Sequence, residues 1–447
     1  MRDIDFTSGS ISKNILLFSL PLMAGNVFQQ LYNIVDTLVV GRYLGEAPLA
    51  AVGSAYTLMI FLTSILIGLS MGSGVYFSLC FGRREMGKLR QSVFISFASI
   101  GALTLFMNGF IYYGLEFLIS FMQIPEEVIP YFREYLIWIF MGLIGVFLYN
   151  FGAALLRAVG NAMTPLLFLI LSSLMNVVLD ILFVVYWDMG VAGAAQATVI
   201  AQYVSGVGIM VYCLLFREDF HLMKEDMCWD FEIFSQMSRL SLLTSLQQSI
   251  MNFGILLVQG LVNSFGTVVM AAFAAGVKID TIAYSPLQDF GNAFSTYVAQ
   301  NYGAGNRERI RKGIFVAGKM MILFSIASSI LVSSLAPYWM GFFVPEGAEE
   351  VIAIGSSYLR IEGSCYIGIG ILFMLYGYFR AVKQAEMSVV LTILSLGTRV
   401  VLAYALTAIS FIGVNGIWLS IPIGWALADA YGMMKGYRNL AGQKEGI

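Results

Sequence analysis

Long stretches of this chain contain no charged residue, and nothing else narrows its choice of fold as much. Pro165–Leu179 runs without charge up to Asp180, Gly101–Ile119 carries only Glu116, and Met320–Phe343 carries none. Runs of this length suit a bilayer crossing better than a buried soluble helix. Lipid offers the backbone no hydrogen-bond partner, so a spanning segment must be an α-helix or part of a closed barrel. Barrel strands alternate in short segments, whereas these runs are solid, which selects helices. Composition agrees. Only 12% of the residues are Asp, Glu, Lys or Arg and the mean hydropathy is +0.80, against about a quarter charged in a soluble domain. So few charges could not cover the surface of a soluble fold of this size.

The hydropathy pattern predicts an all-α integral membrane protein with twelve transmembrane helices. Their expected limits are 14–40, 49–80, 91–118, 130–155, 164–187, 191–215, 240–263, 268–299, 313–340, 351–379, 386–409 and 413–436. The second and eighth are long enough to be expected to bend or to include an interfacial turn. Met1–Ser12 is polar and lacks a signal-peptide pattern, so insertion is expected to begin with the first span. The four cysteines, Cys80, Cys213, Cys228 and Cys365, are scattered and are expected to be unpaired. One histidine, His221, gives little material for a metal cluster or for acid–base catalysis, and an enzyme is not expected.

Basic residues set the orientation. Alternate connections, beginning with Arg2 and Lys13 and ending with Lys435, Arg438 and Lys444, hold 19 of the 25 Lys and Arg. The opposite connections hold only Arg42 and Arg133. Both termini are therefore expected in the cytoplasm, with the chain in the cytoplasmic membrane. The longest connection divides the chain into an N-terminal six-helix lobe (1–215), a cytoplasmic linker (216–239) and a C-terminal six-helix lobe (240–447).

The two lobes resemble each other. At an offset of 221 residues, "YFSLCFGRREMGKLR" from Tyr76 lies beside "YVAQNYGAGNRERIR" from Tyr297, and Gly45 meets Gly266. At 223, "LLRAVGNA" from Leu155 lies beside "YFRAVKQA" from Tyr378. Six spans per repeat is an even number, so both repeats enter from the same side, related by an axis along the membrane normal.

Polar groups at bilayer depth are costly and call for a site facing protein or water. Asp36 stands in span 1 with Asn33 three residues earlier; Asn176 and Asp180 stand one turn apart in span 5; Thr198 is in span 6 and Asn150 ends span 4. Two carboxylates with amide and hydroxyl oxygens suit a hard cation, and the same carboxylates suit protons. Na+ is expected at Asp36, Asn176, Asp180 and Thr198 if a metal ion is used. At the repeat offsets Asp36 falls on Leu257, Asp180 on Ala403, Asn176 on Arg399 and Thr198 on Ile421, so the switch is expected in the N-terminal lobe alone. In the other half Gln247, Gln248, Asp280 and Asp289 are candidates for a substrate cavity. Phe, Tyr, Trp and Met are abundant and would suit flat lipophilic cations.

The segments "LYNIVDTLVVGRYLG", "LLRAVGNAMTP", "MNVVLDILFV", "GVAGAAQATVIAQY", "VAQNYGAGNRERIRKG" and "YFRAVKQAEMSVV", in this order, resemble the multidrug and toxic compound extrusion (MATE) family, in its bacterial DinF/MepA-like branch. The resemblance implies a V-shaped fold of two pseudo-symmetric six-helix bundles. It implies antiport, with organic and often cationic compounds exported against inward Na+ or H+. It assigns coupling to Asp36, Asn176 and Asp180, with Thr198 and, less directly, Asn150 carried along. Some branches use a glutamate in span 7, where this chain offers Gln247 and Gln248. No cofactor beyond the coupling ion is expected. The expected partners are small organic compounds and membrane lipids, with no nucleic acid, and the expected state is a monomer. Alternative readings are a flippase of lipid-linked oligosaccharides and an exporter of an endogenous metabolite.

Overall fold

The structure, a computed structural model, describes residues 3–122, 124–344 and 347–442. Arg2 and Lys444, used above for orientation, lie outside the described residues. Helices in the first half are α1 (Ile11–Tyr43), α2 (Glu46–Arg83), α3 (Met86–Tyr113), α4 (Leu115–Phe121), α5 (Ile129–Ile139), α6 (Gly142–Ala158), α7 (Met163–Asp180) and α8 (Gly190–Phe216). A π-helix, Ile181–Tyr186, continues α7. Two 3₁₀ turns, Glu218–Phe220 and Lys224–Asp226, lead to the second half. There follow α9 (Phe231–Asn263), α10 (Thr267–Gly303), α11 (Arg307–Ser334), α12 (Ala336–Phe343), α13 (Glu349–Gly363), α14 (Tyr366–Ala381), α15 (Ala385–Thr407) and α16 (Asn415–Gly442). The described residues contain no strand.

Nine helices among the described residues are long and apolar enough to cross a bilayer. The pairs α5–α6 and α13–α14, bent by 43° and 51°, each add one more. α16 carries Asp429 and Lys435 within its length and is not among these candidates. The bends fall in the fourth and tenth spans. α2 and α10 each run as one helix without an intervening turn, the latter with Pro286 inside it. A proline interrupts one backbone hydrogen bond, and in a membrane helix its neighbours absorb the change.

The repeat is visible in the backbone. α2, α3 and α4 begin 221 residues before α10, α11 and α12, and the bent pairs occupy equivalent places. The turn before α2 uses Gly45 at φ 94° and that before α10 uses Gly266 at φ 95°, a region that a side chain disfavours.

The chain forms two compact units, Met1–Asp5 with Leu20–Gln248, and Phe6–Ser19 with Ser249–Ile447. They are not the chain cut at the linker. The first part of α1 belongs to the second unit, and α9 through Gln248 belongs to the first. Close backbone approach explains the second exchange. A Cβ on Gly72 would lie 2.4 Å from Ser241 Cα, and one on Gly68 would lie 2.3 Å from Ser245 Cα. Small residues let membrane helices meet at this distance, and a hydrogen bond of 3.0 Å between the Ser73 and Ser241 hydroxyls joins the same seam.

The linker docks on the first unit through Asp226, which accepts from Arg90 Nε at 2.7 Å and Met223 N at 2.9 Å. Burial pushes this carboxyl up, but the Met223 N–H and the Arg90 guanidinium outweigh it and hold the group below the usual carboxylate range. His221 is exposed, and all four cysteines are free.

Candidate functional site: an acceptor-only cluster in the first unit

α7 presents Asn176 and Asp180 one turn apart on a face turned into the protein. Asn176 is 2% exposed and Asp180 is fully buried. Asn176 Nδ2 donates to Thr198 Oγ1 on α8 at 3.3 Å, which leaves the Asn176 carbonyl oxygen turned elsewhere. That oxygen, both oxygens of Asp180 and Oδ1 of Asp36 are buried and receive no hydrogen bond from the protein. Asp36 on α1 lies within electrostatic reach of Asp180. Tyr135 on α5, 6% exposed, lies within reach of both carboxylates and of Tyr32 and Tyr56.

The helix geometry changes at the same place. Directly after Asp180 the α-helical turn widens into the π-helix, a distortion frequent at functional positions. The equivalent helix, α15, runs as uninterrupted α-helix from Ala385 to Thr407.

The structure thus gathers Asp36, Asn176, Asp180 and Thr198. The two other residues proposed for this site turn to their own helices. Asn33 Nδ2 donates to Gln30 Oε1 at 3.5 Å, and Asn150 Nδ2 donates to Val146 O at 2.9 Å. Sequence reasoning passed over Tyr135, Ser173 and Gln202. Ser173 Oγ and Gln202 Oε1 are further buried atoms without a protein partner. Helical spacing signals both, since Ser173 precedes Asn176 by three residues and Gln202 follows Thr198 by four. Tyr135 has no such signal, because its place depends on how α5 packs.

Four buried oxygens that accept no hydrogen bond define the chemistry. Buried polar atoms ordinarily have partners, and two carboxylates within reach of one another call for positive charge between them. A hard monovalent cation or protons would supply it. No group of three or more His, Cys, Asp or Glu suited to a metal ion occurs among the described residues.

The second unit fills the corresponding positions differently. Ala403 is fully buried, Ile421 is 1% exposed, and Leu257 points outward at 53%. Its acidic residues form another cluster. Tyr366 OH donates to Asp280 Oδ1 at 2.6 Å. Glu362, 3% exposed, and Arg399 of α15 lie within electrostatic reach of Asp280, while Arg360 is exposed. Of the residues proposed for a substrate cavity, Gln247 is buried and Gln248 half-buried on the part of α9 that belongs to the first unit. Asp280 is buried and Asp289 half-buried on α10 of the second.

Nine to eleven candidate spans among the described residues, in two similar halves that each bury ionisable groups, define a multi-pass membrane protein. The MatE family model matches residues 21–182 and 242–405, one match in each half. The chain belongs to the MatE family. It is 28% identical over 431 residues to the probable multidrug resistance protein YpnP of Bacillus subtilis, covering 96% of this chain and 95% of that protein. It is 23% identical over 430 residues to a FAD transporter of Shewanella oneidensis, covering 93% and 92%. A crystal structure of MATE in complex with MaL6 superposes with a TM-score of 0.94 at 24% identity, covering all of both chains. The relatives are named as transporters and resistance proteins, and this chain is a transporter of that family, not an enzyme.

Proposed function

We propose that the protein is a secondary antiporter, which exports small organic compounds, mainly lipophilic cations, in exchange for Na+ or H+ by alternating access. The observation that carries this reading is the set of four buried acceptor oxygens on Asp36, Asn176 and Asp180 that no protein donor satisfies. Such a set binds a cation or protons in one state and releases them in another. The multidrug resistance name of the Bacillus subtilis relative supports the substrate class.

The substrate enters from the cytoplasm or inner leaflet while the protein is open inward. Rearrangement exposes it outward. Ion binding at Asp36 and Asp180 weakens its hold, and release follows. Coupling requires the two ligands to prefer different states. An inward-negative potential drives cation entry with about 2.3 kcal/mol per charge per 100 mV. The orientation that suits this cycle has both termini in the cytoplasm of a bacterial cell and the spans in its inner membrane, as the basic residues favour.

The test is substrate-driven ion flux in proteoliposomes, with Na+ and pH gradients imposed separately. One of the two gradients is expected to drive export. D36N is expected to abolish driven export and to insert normally. Export by D36N with unchanged ion dependence would overturn the assignment. The name of the Shewanella oneidensis relative favours a second reading, export of an endogenous metabolite. Competition of FAD with a cationic dye in the same liposomes separates the two.

A further inference from the structure

The chain passes from one compact unit to the other between two adjacent residues, Asp5 and Phe6. Asp3–Asp5 are anchored within the first unit. Asp3 accepts from Arg217 Nη1 at 2.6 Å and from Asn161 Nδ2 at 3.1 Å. Ile4 N donates to Gly160 O at 3.1 Å, and Asp5 pairs with Arg84 at 3.2 Å. Gly160 is shaped for this contact. It sits at φ 87°, and a Cβ there would lie 2.0 Å from Ile4 O.

Phe6–Gly9 are anchored within the second unit. Phe6 N donates to Gln300 Oε1 at 3.1 Å, and Phe6 O accepts from Asn301 Nδ2 at 3.1 Å and Arg309 Nε at 2.8 Å. Arg309 Nη2 also donates to Ser8 O at 2.6 Å and Gly9 O at 2.9 Å. The Phe6 ring is fully buried, edge-on to Phe18 and Tyr297 at 5.1 and 5.8 Å. These donors and acceptors belong to the "AQNYGAGNRER" segment. At the repeat offset of 221 its Gln300, Asn301 and Arg309 become Leu79, Cys80 and Lys88, which cannot build the same clamp. The segment therefore has a task outside the symmetric scaffold.

We infer that Asp3–Gly9 is a short strap tied down in both units, and that release of one end accompanies any large displacement of one unit against the other. No unanchored residue separates the last tie in the first unit from the first tie in the second. Relative displacement of the units must therefore either be absorbed within one peptide unit or break one set of ties. The inference rests on the proposed alternating access only for its place in the cycle. The strap itself is testable without transport.

The test uses the full chain in nanodiscs, with its four cysteines replaced by alanine and spin labels at Y113C in the first unit and F411C in the second. Distances between the labels are measured by pulsed electron resonance. One end is cut by D3N with D5N, and the other by R309Q. If the strap acts as one tether, either cut raises the population of a second distance about fivefold to tenfold, the scale of one or two charge-assisted hydrogen bonds. Cutting both ends adds nothing further, because a tether released at one end is already released. Unchanged distances after each cut, or two effects that multiply, would overturn the strap. If R309Q does not fold, amide exchange in the unaltered protein decides. Ile4 and Phe6 are expected to lose protection together on addition of ion and a cationic dye, and protection that persists at both would overturn the inference. If the strap releases and no gradient drives transport, the proposed function fails while the strap stands.

Discussion

α7 and α15 stand at equivalent places in the two halves, yet they meet the same electrostatic problem in opposite ways. α7 carries Asn176 and Asp180 and gives way to a π-helix after the acid. α15 carries Arg399 where α7 has Asn176 and Ala403 where α7 has Asp180. The second unit thus has a resident guanidinium within reach of its buried acids, Asp280 and Glu362. The first unit has two acids and no resident cation at Asp36 and Asp180. A guanidinium within reach offsets part of the charge of the acids beside it. A buried pair without one must take its positive charge from outside. The duplicated helix therefore carries a cation in one half and the candidate switch in the other.

The comparison can be broken most directly at Asp180. D180N is expected to lower gradient-driven export by about a hundredfold, the scale of a strong coupling free energy, with normal membrane insertion checked by expression and gel filtration. Normal export by this variant would remove the switch from α7.

N176R gives the first unit the residue found at the same place in the second. The unaltered protein should melt at higher temperature as the coupling ion is added, by up to about 2.7 kcal/mol at a hundredfold excess over Kd. N176R should melt at a temperature independent of Na+ and of pH near neutrality. Persistent ion-dependent melting would show that the ion binds elsewhere.

The reciprocal exchange, R399N, leaves Asp280 and Glu362 without their guanidinium. Because Arg399 is only half-buried, its loss should cost about 2 kcal/mol, less than a fully buried pair would. Chemical unfolding in detergent measures it, and no loss would mean that the second cluster is balanced by other means.

The smallest effect is expected outside the membrane, at the turn that docks on the first unit. The Asp226 carboxyl is held below its usual range, so its stabilising contribution is complete above the ordinary carboxylate pKa, about 4. It is lost only as pH falls through the lowered value. Amide exchange at Met223 should therefore stay slow down to that range and accelerate below it. D226N should show lower protection above that range and converge with the wild type below it, and a wild-type protection factor independent of pH would contradict the assignment.

Much of this was legible in the residues. Uncharged runs gave the spans, offsets of 221 and 223 gave the repeat, and one turn of helical spacing put Asn176 and Asp180 on a single face. Other features depend on packing that a linear pattern does not carry. Bends at Phe140–Met141 and Ser364–Cys365 carry no proline, so composition could not locate them, whereas Pro286, which composition does mark, leaves α10 unbroken. Asn33 and Asn150 have the right chemistry and depth, but each donates to its own helix. Nothing in a linear pattern distinguishes an amide that turns inward from one that turns along its helix.

By itself the sequence determined a multi-span helical protein built from two similar halves, with carboxylates in apolar segments of the first half that its repeat lacks at the same positions. Those facts follow from transfer energies and spacing, which are local. Only the tertiary structure decided that four buried oxygens there have no donor, that Arg399 stands near Asp280 and Glu362, and that the chain changes unit between Asp5 and Phe6. Each of these depends on which groups from distant parts of the chain meet. Hydrogen-bond satisfaction and charge balance are properties of that meeting, not of any residue alone.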